Sequence, residues 1–151
     1  MTTKIIRPSF PDIIFEIAHV WAKRSTCPRL PAGAVAVNQR FQILACGYNG
    51  APRGMPHCID VGCLMVDGHC VRTLHSEWNM IAQSAYNGGA SLNGSSVYIT
   101  ARPCRICTML MVQSGVKEIH YWKPYNTDGV KDQVEEIVRN FGIKIYGPYG
   151  V

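Results

Sequence analysis

The amino-acid sequence predicts an α/β fold, a five-stranded mixed sheet covered by helices. Two runs of β-forming and small apolar residues, 33–37 and 41–48, are joined only by Asn38-Gln39-Arg40, the length of a hairpin link. From residue 75 onward helical and strand patterns alternate, which gives parallel crossovers in the second half. No internal repeat, linker or low-complexity tract divides the chain, so residues 1–151 are expected to form a single domain.

Taken in order, Ser9 ahead of Pro11 and Asp12 is a helix start with a side-chain cap and an acidic first turn. Phe10, Ile14, Ile17 and Trp21 recur at helical spacing and predict a helix over 10–24 with one buried face. The hairpin strands follow, and Cys46, inside the second, is expected in the core. Residues 49–73 are rich in Gly, Pro, Cys and His and lack periodicity. They are expected to form a long loop, and such loops in compact domains are functional or pinned. Trp78, Ile81, Ala82 and Ala85 predict a helix over 75–87, closed by Gly88-Gly89. A strand over 97–100, a helix over 104–114 with Gly115 beyond its end and a strand over 116–122 come next. An amphipathic helix over 130–141 and a terminal strand over 143–146 complete the order.

The bulk composition excludes several classes of function. A chain 47% hydrophobic and 17% charged has the balance of a soluble globular protein. No apolar run approaches the roughly 18–20 residues needed to cross a bilayer, so no membrane partner is expected. MTTKIIRPSFPD has no apolar stretch followed by a cleavage site, so no secretory signal is expected. The expected compartment is cytoplasmic (a host cytoplasm if the source is viral). The net charge of +5 suits an anionic ligand such as a nucleotide phosphate. Its basic residues are scattered, a solvated surface is the simpler account, and no nucleic-acid partner is expected. Seven cysteines are an odd number for a disulfide framework, and without a secretory signal they read better as metal ligands. Two groups stand out: Cys58, Cys63 and Cys70 in the long loop, and Cys104 with Cys107.

The residues that carry chemistry are His75-Ser76-Glu77 and, beyond an intervening strand, Pro103-Cys104-Arg105-Ile106-Cys107. Cys104 and Cys107, three apart at a helix start, can aim both sulfurs at one point. The unpaired N–H groups of that start favour negative charge and hold thiols as thiolates. His75 opens a second helix and offers one imidazole nitrogen. Three protein ligands with the fourth position left for water describe a catalytic zinc site. Zinc brings the pKa of its water from about 16 to about 7. Glu77 lies two residues from His75 and would point elsewhere on an ideal helix. The two converge only if the metal sits beyond the helix end, with His75 in the first turn. Glu77 is then no ligand; it takes a proton and returns it to a leaving amine. Pro103 suits a helix boundary. A lone C-x-x-C is equally a redox pair or half of a structural zinc site, and H-x-E alone occurs by chance. The combination H-x-E…P-C-x-x-C, each half opening a predicted helix, is the signature of zinc deaminases.

At these residues the chain resembles the cytidine deaminase-like superfamily and, within it, the deoxycytidylate (dCMP) deaminases. The likeness runs from about residue 15 to 147. It includes Gly33-Ala-Val, the segment Gly47-Tyr-Asn-Gly-Ala-Pro-Arg-Gly54, His57-Cys58…Cys63…His69-Cys70-Val-Arg-Thr-Leu-His75-Ser-Glu77, and Pro103-Cys104-Arg-Ile-Cys107. It implies a three-layer fold and hydrolysis of dCMP to dUMP and ammonia, with Glu77 catalytic and zinc on His75, Cys104 and Cys107. It also implies a homohexamer supplying thymidylate synthesis, activated by dCTP with Mg²⁺ and inhibited by dTTP through Tyr48, Asn49, Gly50 and Arg53. By position Asn49 resembles the residue that bonds the sugar 3′-hydroxyl, although an Asn there also simply holds a turn. Arg102, Tyr125 and Arg53 are candidates for the substrate phosphate, Arg102 being equally a surface residue. Similar enzymes from phage and bacteria imply a second, structural zinc on Cys27 and Cys58, completed from Cys63, Cys70 or, alternatively, His69. The alternative is a set of buried free thiols. Ser76 departs from the family, which usually has alanine there.

Two other functions compete. A deaminase editing tRNA or a single-stranded base needs a basic, aromatic-lined groove, and no basic cluster supplies one. A catalytically inactive, zinc-stabilised binding module has no use for Glu77.

Overall fold

The computed structural model describes residues 5–125 and 131–150. Its elements in chain order are α1 (Phe10–Ala22), β1 (Gly33–Val37), β2 (Ile43–Tyr48), α2 (Cys58–Val61), β3 (Met65–Val66), β4 (His69–Cys70), α3 (Ser76–Tyr86), β5 (Ser96–Ala101), α4 (Arg105–Gln113), β6 (Glu118–Lys123), α5 (Lys131–Phe141) and β7 (Lys144–Tyr146). Five strands form one sheet in the order β2-β1-β5-β6-β7. β1 pairs antiparallel with both β2 and β5, whereas β6 runs parallel to β5 and to β7. The sheet is therefore mixed, as the hairpin and the later crossovers predict.

β1 carries no polar residue, and all five of its residues are buried, the pattern of a strand covered on both faces. Its side chains divide by the two-residue period of a strand. Val35 and Val37 join Tyr98 of β5 and Ile14, Phe15 and Ala18 of α1 on one face. Ala34 and Ala36 join Val97 and Ile99, with Met80 of α3 and Met111 of α4, on the other. This is a helix–sheet–helix sandwich in three layers. Two glycines set how closely the layers meet. A Cβ on Gly33 would collide with the α1 backbone at Ala18 and Ala22, and one on Gly47 with the α3 backbone at Ser76 and Met80.

The start of α1 forms the box its sequence encodes: Asp12 N donates to Ser9 Oγ at 3.3 Å, and Ser9 N donates to Asp12 Oδ2 at 3.3 Å. The hairpin link is longer than the sequence indicates. Asn38 Oδ1 accepts from the backbone N of Arg40 (2.9 Å) and Gln42 (3.0 Å), and Phe41 takes a positive φ of 59°. Those contacts pull residues 41–42 out of the strand. Nor is 49–73 structureless. It contains α2 and the β3–β4 ribbon, and Gly50 is bridged to Leu74 at its exit. Cys46 is half-buried rather than enclosed. Residue 130, the expected first residue of the last helix, lies outside the described residues. None of the described helices is long and apolar enough to cross a membrane.

Candidate active site

Two helix starts meet at the candidate site. His75 is the N-cap of α3 (φ −67°, ψ 158°), and Cys104 is the N-cap of α4 (φ −74°, ψ 171°). The extended backbone of an N-cap turns the side chain ahead of the helix, where the orphan N–H groups point. Cys104 Sγ accepts from Cys107 N at 3.5 Å, so the sulfur already sits among those donors. His75 Nδ1 lies 3.2 Å from Cys107 Sγ and 3.7 Å from Cys104 Sγ. All three donor atoms fall within 4.8 Å of one another. Neighbouring donors of a tetrahedral zinc with bonds near 2.1 and 2.3 Å are about 3.5 Å apart, so this set fits the ion. The His75 ring is braced by Trp78, stacked at 5.2 Å.

The charges are arranged to suit a cation. Hydrogen bonding from Cys107 and His75 brings the Cys104 thiol down to about 4 against the opposing effect of burial. The Cys107 thiol is pushed up by its bond with Cys104 and by burial. The sulfur pair thus loses its first proton early, at the more exposed Cys104, and holds the second until a cation replaces it. The Cys104 sulfur raises His75 above the usual imidazole value against its burial, with Glu77 adding to the rise.

Glu77, in the first turn of α3, is 5% exposed. Burial raises its carboxyl above the ordinary carboxylate range, and His75 opposes that rise. A carboxyl raised in this way holds a proton more readily than an exposed one, which suits a group that must both accept and deliver it. His75 stands outside the helix as its cap and not in the first turn, and its imidazole and the Glu77 carboxyl act on each other's charge. Ser76 Oγ donates to Glu77 Oε2 at 2.9 Å, a contact sequence reasoning missed.

Asn49 is buried and largely committed to its own chain. Its Oδ1 accepts from Ser25 Oγ (2.6 Å) and Ala32 N (2.8 Å), and Nδ2 donates to Leu30 O (2.7 Å). One amide hydrogen remains without a partner among the described residues. Asn79 Nδ2, also missed, donates to Tyr48 O at 2.8 Å and holds this turn against α3. The signal for it was an amide four residues beyond His75 on the same helix face.

The structure brings Cys58, Cys63 and Cys70 within 4.8 Å of one another; Cys27 and His69 do not join that group. Cys58 Sγ and Cys70 Sγ are 3.5 Å apart, again the edge of a sulfur-bound ion. Burial pushes the Cys58 thiol up to about 12. Burial would also raise Cys70, but the Arg72 backbone and the Cys58 thiol bring it down to about 7. Beside Cys58, His57 Nδ1 is buried with no hydrogen-bond partner among the described residues, a donor that sequence reasoning passed over.

The Arg102 guanidinium is 3.7 Å from Glu135 of α5 and 5.9 Å from the centre of the Tyr121 ring. Tyr125 is exposed, Arg53 is exposed, and Tyr48 leans on Trp21 at 6.3 Å. Gly50 pairs through its backbone with Leu74.

Comparison with known proteins follows the same residues. Residues 11–123 match the family described as the cytidine and deoxycytidylate deaminase zinc-binding region. ComE operon protein 2 of Bacillus subtilis is 44% identical over 121 residues, 80% of this chain; the chain spans 63% of that protein's length. The deoxycytidylate deaminase of Mycobacterium phage D29 is 33% identical over 129 residues, covering 78% of this chain and 97% of that one. The dCMP deaminase of cyanophage S-TIM5, solved in complex with dCMP and dUMP, superposes with a TM-score of 0.77 at 28% identity, covering 94% of this chain and 98% of that chain. With the H-x-E and P-C-x-x-C segments both inside the matched region and folded onto one point, this chain belongs to the cytidine and deoxycytidylate deaminase family.

Proposed function

We propose that this protein hydrolyses dCMP to dUMP and ammonia. The observation that carries the reading is a buried carboxylate, Glu77, set beside three donors of a catalytic zinc, in a chain similar over nearly its whole length to a deaminase solved with dCMP and dUMP. Zinc on His75, Cys104 and Cys107 supplies a Lewis acid that makes water nucleophilic at neutral pH. Glu77 accepts a proton from the water that adds at C4 of the cytosine. It delivers that proton to N3, then carries the proton of the new C4 hydroxyl to the amino nitrogen; the C4–N4 bond breaks as the C4 carbonyl forms, and ammonia leaves. Its raised pKa suits both halves of that transfer. The spare amide hydrogen of Asn49 is available to the sugar 3′-hydroxyl, and Arg102, Tyr125 and Arg53 are the candidates for the phosphate. Engaging Arg102 means exchanging its Glu135 pair, a weak partner at 3.7 Å.

The finer reading is a homohexamer supplying thymidylate synthesis, activated by dCTP with Mg²⁺ and inhibited by dTTP through Tyr48, Asn49, Gly50 and Arg53. It includes a structural zinc on Cys58, Cys63 and Cys70, with Cys27 or His69 moving in as the fourth donor. Loss of cytosine absorbance is followed with dCMP, deoxycytidine and a short single-stranded oligonucleotide at matched concentrations, with and without dCTP and dTTP. Turnover of dCMP is expected to dominate. Glu77→Ala is expected to lose about 10²–10⁴-fold in kcat with zinc content unchanged. Reaction of the oligonucleotide alone would overturn the reading.

A further inference from the structure

Ser76 lies between a metal ligand and the proton-transfer carboxylate, and its own part in the reaction is open. Its residue is 1% exposed. A hydroxyl that deep must find an acceptor, because an unpaired buried donor costs its full desolvation. Among the described residues its acceptor is Glu77 Oε2, at 2.9 Å. Ser76 is the first residue of α3, so no helical carbonyl one turn earlier competes for the proton.

The consequence falls on Glu77. The terminal torsion of a glutamate is broad and roughly two-fold, so the helix by itself does not fix which way the carboxylate plane turns. A donor on one oxygen does. Ser76 holds Oε2, and the Glu77 backbone N–H and the Cys107 thiol also bear on this carboxylate. Adjacent helix positions do not ordinarily face each other; the contact forms because Ser76 is short and Glu77 folds back towards the helix start.

We propose that Ser76 is a positioning residue that orients the Glu77 carboxylate through the Ser76 Oγ–Glu77 Oε2 hydrogen bond. The inference rests on the deamination reading, and its test separates the two. Steady-state kinetics on dCMP are compared for the wild type, Ser76→Ala and Ser76→Thr, each with its zinc content measured. Ser76→Ala removes one oxygen and is expected to lower kcat about tenfold, with KM and zinc unchanged. Ser76→Thr keeps the hydroxyl and is expected to retain most of the rate. A wild type inert towards dCMP sinks the deamination reading. An active wild type with Ser76→Ala at full kcat, or with its loss in KM instead, sinks the role of Ser76. Thermal unfolding of chelator-treated protein gives a second readout, independent of turnover, that stands even if threonine is too large. Ser76→Ala is expected to lower Tm by several degrees more with Glu77 present than in a Glu77→Ala background. Equal drops in the two backgrounds would overturn the proposal.

Discussion

The ring of His120 in β6 is flanked by its cross-strand partners, Tyr98 at 4.4 Å and Tyr146 at 4.8 Å. Its Nδ1 lies 2.8 Å from the Tyr149 hydroxyl, and its Nε2 is 3.5 Å from Glu118, which also faces Lys144 at 3.8 Å. Burial holds its pKa below the usual imidazole value, with Glu118 working against that shift. The unfolded chain therefore takes up this proton first as pH falls below about 6.5. The stability that neutral His120 contributes is present above that pH and is lost as pH falls through the lower native value. Denaturant unfolding between pH 7.5 and 5 is expected to show a shallower acid decline in His120→Asn than in the wild type; parallel curves would contradict it. Nothing in the sequence singled out this histidine, because its neighbours come from three strands far apart in the chain. The candidate metal cluster was legible for the opposite reason. His75, Cys104 and Cys107 belong to two local patterns, each at a helix start, so only the meeting of the patterns was left to the fold. Asn49 lies between these cases: its turn was visible, but the Ser25, Leu30 and Ala32 groups that consume most of its amide were not.

Among the elements, β2 and α3 form the contact on which the site's placement depends. The α3 backbone lies so close to Gly47 that any side chain there strikes Ser76 and Met80. Gly47→Ala is expected to cost about 1–3 kcal/mol as α3 is forced off the sheet. It is also expected to lower kcat, because His75 caps that helix and Glu77 rides on its first turn. Chemical denaturation and kinetics on one preparation check both parts; an unaltered midpoint would mean the layer gives way without cost. The long elements were legible in place and type but not in the face they bury: on α1 Phe15 and Ala18 are enclosed while the expected Phe10 is exposed, and on α3 Met80 is enclosed while the expected Ala82 and Ala85 are exposed. Their ends shifted by at most two residues, and capping decided the matter at His75 and Cys104. The elements within 49–73 were not legible. α2 has four residues and β3 and β4 two each, too short to show a period.

Across the whole molecule, two kinds of order coexist. The sheet and its helices enclose two apolar clusters built without any metal donor, so burial of those side chains suffices to hold them. The segment from His57 to Leu74 has no such core. Met65 and Val66 of its ribbon are exposed, as are Ile59, Val61, Leu64 and Val71 around it. An isolated two-stranded ribbon is marginal in water, yet here it is folded around Cys58, Cys63 and Cys70. A metal bound to those sulfurs adds its binding free energy to the folding of that segment and to little else. Metal analysis is therefore expected to give close to two zinc ions per chain, falling to about one in Cys58→Ser. After exhaustive chelation, hydrogen exchange is expected to accelerate at amides 57–74 and in the first turn of α4, while β1, β5 and β6 keep their protection. Loss of protection throughout the sheet would mean that the metals, and not the two apolar clusters, hold the layers together.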